Sequence, residues 1–223
     1  LSRLIGRLVF GLVVAIGLVY ALNQVGVAIG PLLGLLGLLG LALALALQEV
    51  LSNFIAGVML SLQRPFRVGD EIKTAGYEGR VEDVSLRTTT MRTFDGVQVH
   101  VPNATVWEEP IENFTTLGLR RTTLPVGVGY ETDLDATKAL LVETVRSVEG
   151  VEADPAPQAF VHEFGDSSIN YAVHYWHQPQ RASEWSVRDE VARKIKKALD
   201  KADVEIPFPQ LVLHMDGTTT PDG

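Results

Sequence analysis

The side chains that most often carry catalysis are few and scattered in this sequence. The stretch HYWH places His174 and His177 three residues apart. In a strand that spacing directs them to opposite faces, so they are not predicted to share a ligand. The chain has no cysteine, which excludes thiol catalysis and disulfides, and no phosphate-loop or nucleophile-elbow pattern occurs. We therefore predict no catalytic residue, no metal site and no cofactor.

Residues 41–48, LALALALQ, indicate instead an apolar surface that would exclude water. In lipid an open sheet edge is not tolerated, so a single spanning segment of this kind is predicted to be helical. At about 100° per residue, Leu41 and Leu45 share one ridge, and Leu43 and Leu47 share the opposite one. A ring of helices with Leu41 and Leu45 facing inward would stop ions by dewetting. Ordinary packing of a Leu/Ala helix without a pore explains the pattern equally well.

Small residues lie on both flanks of these leucine ridges. In lipid, small side chains allow neighbouring helices to approach closely. Such flanks suit head-to-tail packing of identical helices, which closes into a ring. The predicted packing seam consists of Gly37, Gly40, Ala42, Ala44 and Ala46.

The segment that carries these residues is long enough to cross a bilayer twice. Between Arg7 and Glu49 lie 41 residues without a charge or a histidine, and one span needs about 20 apolar residues. We predict spans at Leu4–Leu22 and Pro31–Leu47. Because the arginines flank the outer ends of the pair, both ends are predicted to face the cytoplasm. A buried helical hairpin of a soluble core is the alternative.

The charge of the chain is unevenly distributed. The whole chain carries −8, whereas residues 1–64 hold three arginines and one glutamate, so the remainder carries −10. An acidic soluble part without a basic stretch argues against nucleic acid as a partner.

Four regions are predicted along the chain. Residues 1–64 comprise the spans and then a separate amphipathic helix, Val50–Leu62, that lies along the membrane surface and is stopped by Pro65. Residues 65–119 form a small β domain of about five strands with a hairpin at Asp95-Gly96. Residues 120–214 follow the β-α-β-β-α-β order of a ferredoxin-like α+β domain, with a last strand at 210–215. Residues 215–223 are a polar tail.

Three motifs carry a family resemblance over essentially the whole chain: GLALALALQEVLSNFIAGVMLSLQRPFRVGD, TTTMRTFDGVQVHVPN and VEIPFPQ. Together they resemble the small-conductance mechanosensitive channel family (MscS-like). The resemblance implies a membrane α-helical pore region with a cytoplasmic β-barrel-like (Sm-like) domain and a ferredoxin-like α+β domain. It also implies a homoheptamer, and at least one further helix before those present here.

The resemblance assigns roles to individual residues. Leu41 and Leu45 fall on the pore-sealing leucines, and the five small residues fall on the helix–helix seam. Gln48 and Asn53 match polar positions around a helix break, and Gly57 matches the second of two hinge glycines. Glu49 replaces the first hinge glycine, which leaves three outcomes open: a break that is moved, one that is retained by packing, or no break. Glu49 is either an interfacial acid or part of a carboxylate ring at the pore end.

The function implied is an ion channel of the plasma membrane, multi-pass with cytoplasmic soluble domains, opened by membrane tension. Its expected partners are further copies of itself, lipids, and the ions and small solutes that permeate on hypo-osmotic shock. The alternatives are a membrane-anchored oligomeric scaffold and a ligand-gated MscS-like channel.

Overall fold

The computed structural model describes residues 2–24 and 29–211 of the 223-residue chain. Two long helices come first, α1 (Ser2–Gln24) and α2 (Gly30–Gln63). The predicted spans lie within them, and Val13–Gln24 of α1 is an apolar stretch. Among the described residues, α2 is the one helix that is long and apolar enough to cross a membrane.

α2 does not break where the sequence predicts a separate amphipathic helix. It begins near Pro31, which suits the first helical turn because proline lacks an N–H, and it runs unbroken through Val50 to Gln63. The prediction of two helices here is therefore wrong. Glutamate at position 49 favours helix by about 1 kcal/mol over glycine, so the local cause of a break is missing. The predicted stop before Pro65 is confirmed, because Arg64 ends the helix in a left-handed conformation.

A β unit follows α2. Its strands are β1 (Glu71–Thr74), β2 (Tyr77–Val84), β3 (Thr88–Thr93), β4 (Gln98–Pro102) and β5 (Glu112–Asn113), with α3 (Asn103–Glu108) between the last two. They form one antiparallel sheet in the order β4-β3-β2-β1-β5. The predicted hairpin at Asp95-Gly96 joins β3 to β4, and Gly96 supplies the positive φ of 82° that the turn requires.

The core of the β unit includes the end of α2. Ile72, Val81 and Met91 of the sheet are at most 1% exposed. Leu60 of α2 and Phe66, just after it, pack into the same cluster. The last turns of α2 are therefore part of the β unit's hydrophobic core, whereas the first part of α2 extends away from it.

An α/β unit completes the described chain. It consists of β6 (Arg120–Val128), α4 (Leu134–Arg146), β7 (Gln158–Phe164), β8 (Ile169–His177) and α5 (Arg181–Lys201), with sheet order β6-β8-β7. Leu141 of α4 and Leu199 of α5 pack against Tyr171 and Val173 of the sheet. The order of these five elements is as predicted. Of the predicted last strand, residues 210 and 211 are irregular chain and the rest lies outside the described residues, as does the whole of the predicted tail.

Candidate pore segment and its attachment to the β unit

The first part of α2 makes no burying contact with the rest of the described chain. Every residue from 30 to 52 is exposed, including Leu41 at 59% and Leu45 at 63%. An exposed apolar surface of this length marks a region covered by lipid or by other protein chains. The predicted gate leucines lie in the middle of this bare segment.

The predicted packing seam is open in a single chain. A methyl group added at Gly37 or Gly40 would meet no atom within 4 Å, other than the helix's own backbone and chain neighbours. Ala42, Ala44 and Ala46 are likewise exposed. Any close packing on these residues must come from outside the chain, so their role in a seam remains a prediction.

Asn53 attaches α2 to the β unit. Its side-chain amide donates to the carbonyl of Glu49 one turn earlier (2.9 Å), and its Oδ1 accepts from the backbone N–H of Ala104 (3.0 Å). Asn53 is 8% exposed. The residue that the resemblance places at a helix break is thus a hydrogen-bonded contact within a continuous helix.

At Gly57, α2 packs tightly against the β unit. A methyl group there would lie 2.5 Å from Nδ2 of Asn103 and 2.8 Å from the carbonyl oxygen of Leu86. The α2 backbone at Gly57 is helical, so its conformation does not require glycine. Glycine is needed there because a larger side chain has no space. Its predicted role as a hinge remains a prediction.

Asn103 was not singled out by the sequence, although it closes the motif TTTMRTFDGVQVHVPN. It is fully buried. Its amide donates to the carbonyl of Ser85 (2.9 Å) and its Oδ1 accepts from the Thr89 hydroxyl (2.9 Å). A buried amide with both groups satisfied fixes its surroundings, so Asn103 holds a rigid surface against Gly57. An Asn that ends a β-rich motif was the available signal.

Gln48 and Glu49 lie on different sides of α2. Gln48 lines an apolar groove of about 540 Å³ with Leu45 and Met59 of α2 and Trp107 of α3. Glu49 lines a smaller cavity of about 240 Å³, together with Arg87, Thr88 and Pro102 of the β unit. Glu49 therefore borders the β unit, and both of its predicted roles, interfacial acid and member of a carboxylate ring, remain predictions.

Asp70 stabilises the turn that leads from α2 into β1. It accepts from the backbone N–H of Arg67 (2.9 Å) and from the side chain of Asn113 (2.9 Å). Burial alone would raise the pKa of Asp70, but these hydrogen bonds, with Thr115 and the positive charge of Arg67, hold the pKa below its usual value.

The two histidines of the HYWH stretch lie on β8 of the α/β unit. His177 is fully buried, 2.8 Å from the Thr122 hydroxyl and 2.6 Å from the carbonyl of Gln178. His174 lies on the opposite face of β8, as its spacing predicts. Burial, with the nearby positive charge of Arg121 and with His162, lowers the pKa of His174. Within residues 2–24 and 29–211, no group of three or more His, Cys, Asp or Glu residues could hold a metal ion.

The arrangement is that of a membrane-associated protein: an exposed apolar helix, long enough to cross a membrane, is followed by two β-containing units. Two family models match the chain, "Mechanosensitive ion channel, beta-domain" over residues 49–116 and "Mechanosensitive ion channel MscS, C-terminal" over residues 122–206. The chain belongs to the MscS family of mechanosensitive ion channels.

Individual relatives agree with this assignment. An uncharacterized MscS family protein of Synechocystis is 36% identical over 94% of this chain and 70% of its own length. The small-conductance mechanosensitive channel MscMJ of Methanocaldococcus jannaschii is 36% identical over 92% of this chain but only 59% of its own length. The closed-state crystal structure of Helicobacter pylori MscS superposes with a TM-score of 0.83 at 30% identity, covering 98% of this chain and 86% of that one.

Proposed function

We propose that this chain is the pore-forming subunit of a mechanosensitive ion channel, and that α2 lines the pore in a ring of identical copies. The observation that carries the proposal is the bare first part of α2, whose residues 30–52 are all exposed and apolar except for Gln48, Glu49 and Ser52. Family membership supplies the class of function, and the exposed helix supplies the surface at which that function would act.

In a ring of identical copies, every exposed surface of this helix would have a suitable environment. Neighbouring copies would pack through Gly37, Gly40 and the three alanines, where small side chains permit close approach. Head-to-tail contacts between identical surfaces close into a ring when the rotation permits, and the family resemblance indicates seven copies. Lipid would cover α1 and the outward ridge of Leu43 and Leu47.

The inward ridge would then form the gate. With Leu41 and Leu45 about 40° apart on one ridge, each copy contributes two successive apolar side chains to the axis. Such a constriction excludes water, and therefore ions, while it is narrow. The continuous helix supports this placement, because no break between residues 30 and 63 changes the direction in which successive side chains project.

Tension would open the gate by favouring the state that occupies more membrane area. A force shifts an equilibrium only through its different effect on the two states, and here that difference is tension acting on the change in area. The α2 helices would slide along the small-residue seam, and the leucine ring would widen until water enters. Ions and small solutes would then leave the cell on hypo-osmotic shock.

The soluble units would lie in the cytoplasm, below a multi-pass membrane region formed by α1 and α2. Arg7 flanks one end of the apolar region, and Arg64 and Arg67 flank the other, which suits cytoplasmic ends at both. A β-barrel-like β domain and a ferredoxin-like α/β domain are the fold types we propose for the β and α/β units, with predicted boundaries at 65–119 and 120–214.

Expression in bacteria that lack their own mechanosensitive channels tests the proposal. We expect the chain, with any preceding sequence of its natural gene, to restore survival after a sudden drop in external osmolarity. The matched control is Gly40→Leu, which leaves the fold of the single chain untouched because position 40 meets no other residue, but obstructs the seam. Equal survival of cells with and without the wild-type protein would favour a scaffold instead.

A further inference from the structure

Glu71, the first residue of β1, is buried against a helix of the other soluble unit. The residue is 4% exposed. Its Oε1 accepts from the guanidinium of Arg80 (3.0 Å), and its Oε2 accepts from the backbone N–H of Arg181 (2.8 Å), 110 residues further along the chain. Arg181 is the first residue of α5.

This contact caps α5 from outside its own unit. The first turn of a helix leaves N–H groups without partners, which the side chain of the preceding residue commonly satisfies. In α5 that residue is Gln180, and its side chain makes no capping hydrogen bond. The carboxylate of Glu71 takes its place, and its negative charge also suits the positive end of the helix dipole.

A balanced set of charges surrounds the contact. The Arg181 guanidinium lies 3.5 Å from Glu78 of the β unit and 3.3 Å from Glu184 of α5. Arg120, at the start of β6, is 2.8 Å from the same Glu184. Three acids from the two units thus face three arginines. A buried charge that loses its partner is strongly unfavourable, so the two units have one favoured relative position.

We propose that Glu71 is a positioning residue that fixes the α/β unit to the β unit by capping α5. The functional consequence rests on the proposed channel function: the α/β units would lie below the pore, where permeating ions pass them, and the cap keeps each α/β unit in one position. The tension threshold is set in α2 and does not depend on the cap.

Two substitutions at one position isolate the capping N–H. Arg181→Pro removes the N–H but keeps the helix start, because proline is favoured in the first helical turn and Gln180 is already extended (φ −65°, ψ 142°) as a residue before proline must be. Arg181→Ala removes the guanidinium and keeps the N–H. Glu71→Ala removes the cap from the other side.

Hydrogen exchange of the assembled full-length protein provides the first readout. Loss of a cap typically costs about 1 kcal/mol, so Glu71→Ala and Arg181→Pro should each speed exchange of the Glu184–Val187 amides on the order of fivefold. Combining them should add little, because both remove the same bond. Arg181→Ala should change exchange less, and the amides of α4 should not change in any variant. Wild-type exchange in Glu71→Ala, or an equal effect of Arg181→Ala and Arg181→Pro, would overturn the proposal.

Single-channel recording provides the second readout. Glu71→Ala and Arg181→Pro should broaden the distribution of open-channel current amplitudes and leave the tension threshold at the wild-type value. A distribution as narrow as in the wild type, or a shifted threshold, contradicts the positioning role. If the wild-type protein gives no tension-activated current, the proposed function fails, whereas the exchange experiment still decides whether Glu71 caps α5.

Discussion

At the scale of single residues, the account depends on two leucines that no other part of the described chain covers. Leu41 and Leu45 are more than half exposed, although both lie in a helix without a charge from residue 30 to residue 48. An apolar side chain gains about 1.5–3 kcal/mol when it is removed from water. Each copy in a ring therefore contributes to a dry closed state.

Leu41→Ser and Leu45→Ser should each lower the tension at which the channel opens, because a hydroxyl at the constriction lets water enter sooner. Patch recording of both variants measures the threshold. Leu43→Ser, on the opposite ridge, is the matched control and should change it less. If all three variants opened at the wild-type tension, neither Leu41 nor Leu45 would belong to the gate.

The lowered pKa of Asp70 predicts that the stability of the folded protein depends on pH. Because the folded state lowers its pKa, Asp70 stabilises the protein fully above its usual value of 3.8. This contribution is lost as pH falls below that value and through the lower pKa of the folded state. Asp70→Asn should therefore reduce stability at pH 7 but make less difference near pH 2, as thermal unfolding followed at both pH values would show. An equal loss at both would mean that the charge is irrelevant.

At the scale of elements, the continuous course of α2 is the main feature that the sequence did not predict. The apolar period, the start at Pro31 and the stop before Pro65 are local signals, and the structure confirms the start and the stop. Whether α2 breaks near residue 49 depends on a balance of about 1 kcal/mol between helix and bend. The contact of Asn53 with Ala104, 51 residues away, adds to that balance and has no local signature.

Glu49→Gly should weaken α2 at this point, because glycine costs about 1 kcal/mol in a helix interior. We expect hydrogen exchange of the amides at 49–53 to rise on the order of fivefold, with Glu49→Ala, which favours helix, as the control. Unchanged exchange in Glu49→Gly would show that packing against the β unit, rather than residue 49, keeps α2 continuous.

Gly57→Ala tests the close approach of α2 to the β unit. The added methyl group would meet the Leu86 carbonyl and the Asn103 amide within 3 Å, and overpacking of this kind costs about 1–3 kcal/mol. The variant should unfold at a lower temperature, whereas Gly34→Ala, where the methyl group meets open space, should not. Equal melting temperatures would mean that α2 can shift at no cost.

At the scale of the whole molecule, the order of elements was predictable and the contacts between units were not. Alternation in β8 and the Asp95-Gly96 turn are local patterns, and the structure reproduces them. No local pattern marks Glu71 for burial, yet it is buried because Arg181, distant in the chain, brings a helix terminus to it. A residue's burial by another unit is set by tertiary packing, which spacing within a strand does not reveal.

The central claim is that copies of α2 enclose a water-excluding pore that membrane tension opens. The most direct measurement is patch recording from vesicles that contain only the purified protein, under stepwise suction. The account predicts discrete currents that appear above a threshold tension and disappear when suction is released. Silent patches at every tension short of rupture, from vesicles shown to contain the assembled protein, would contradict it.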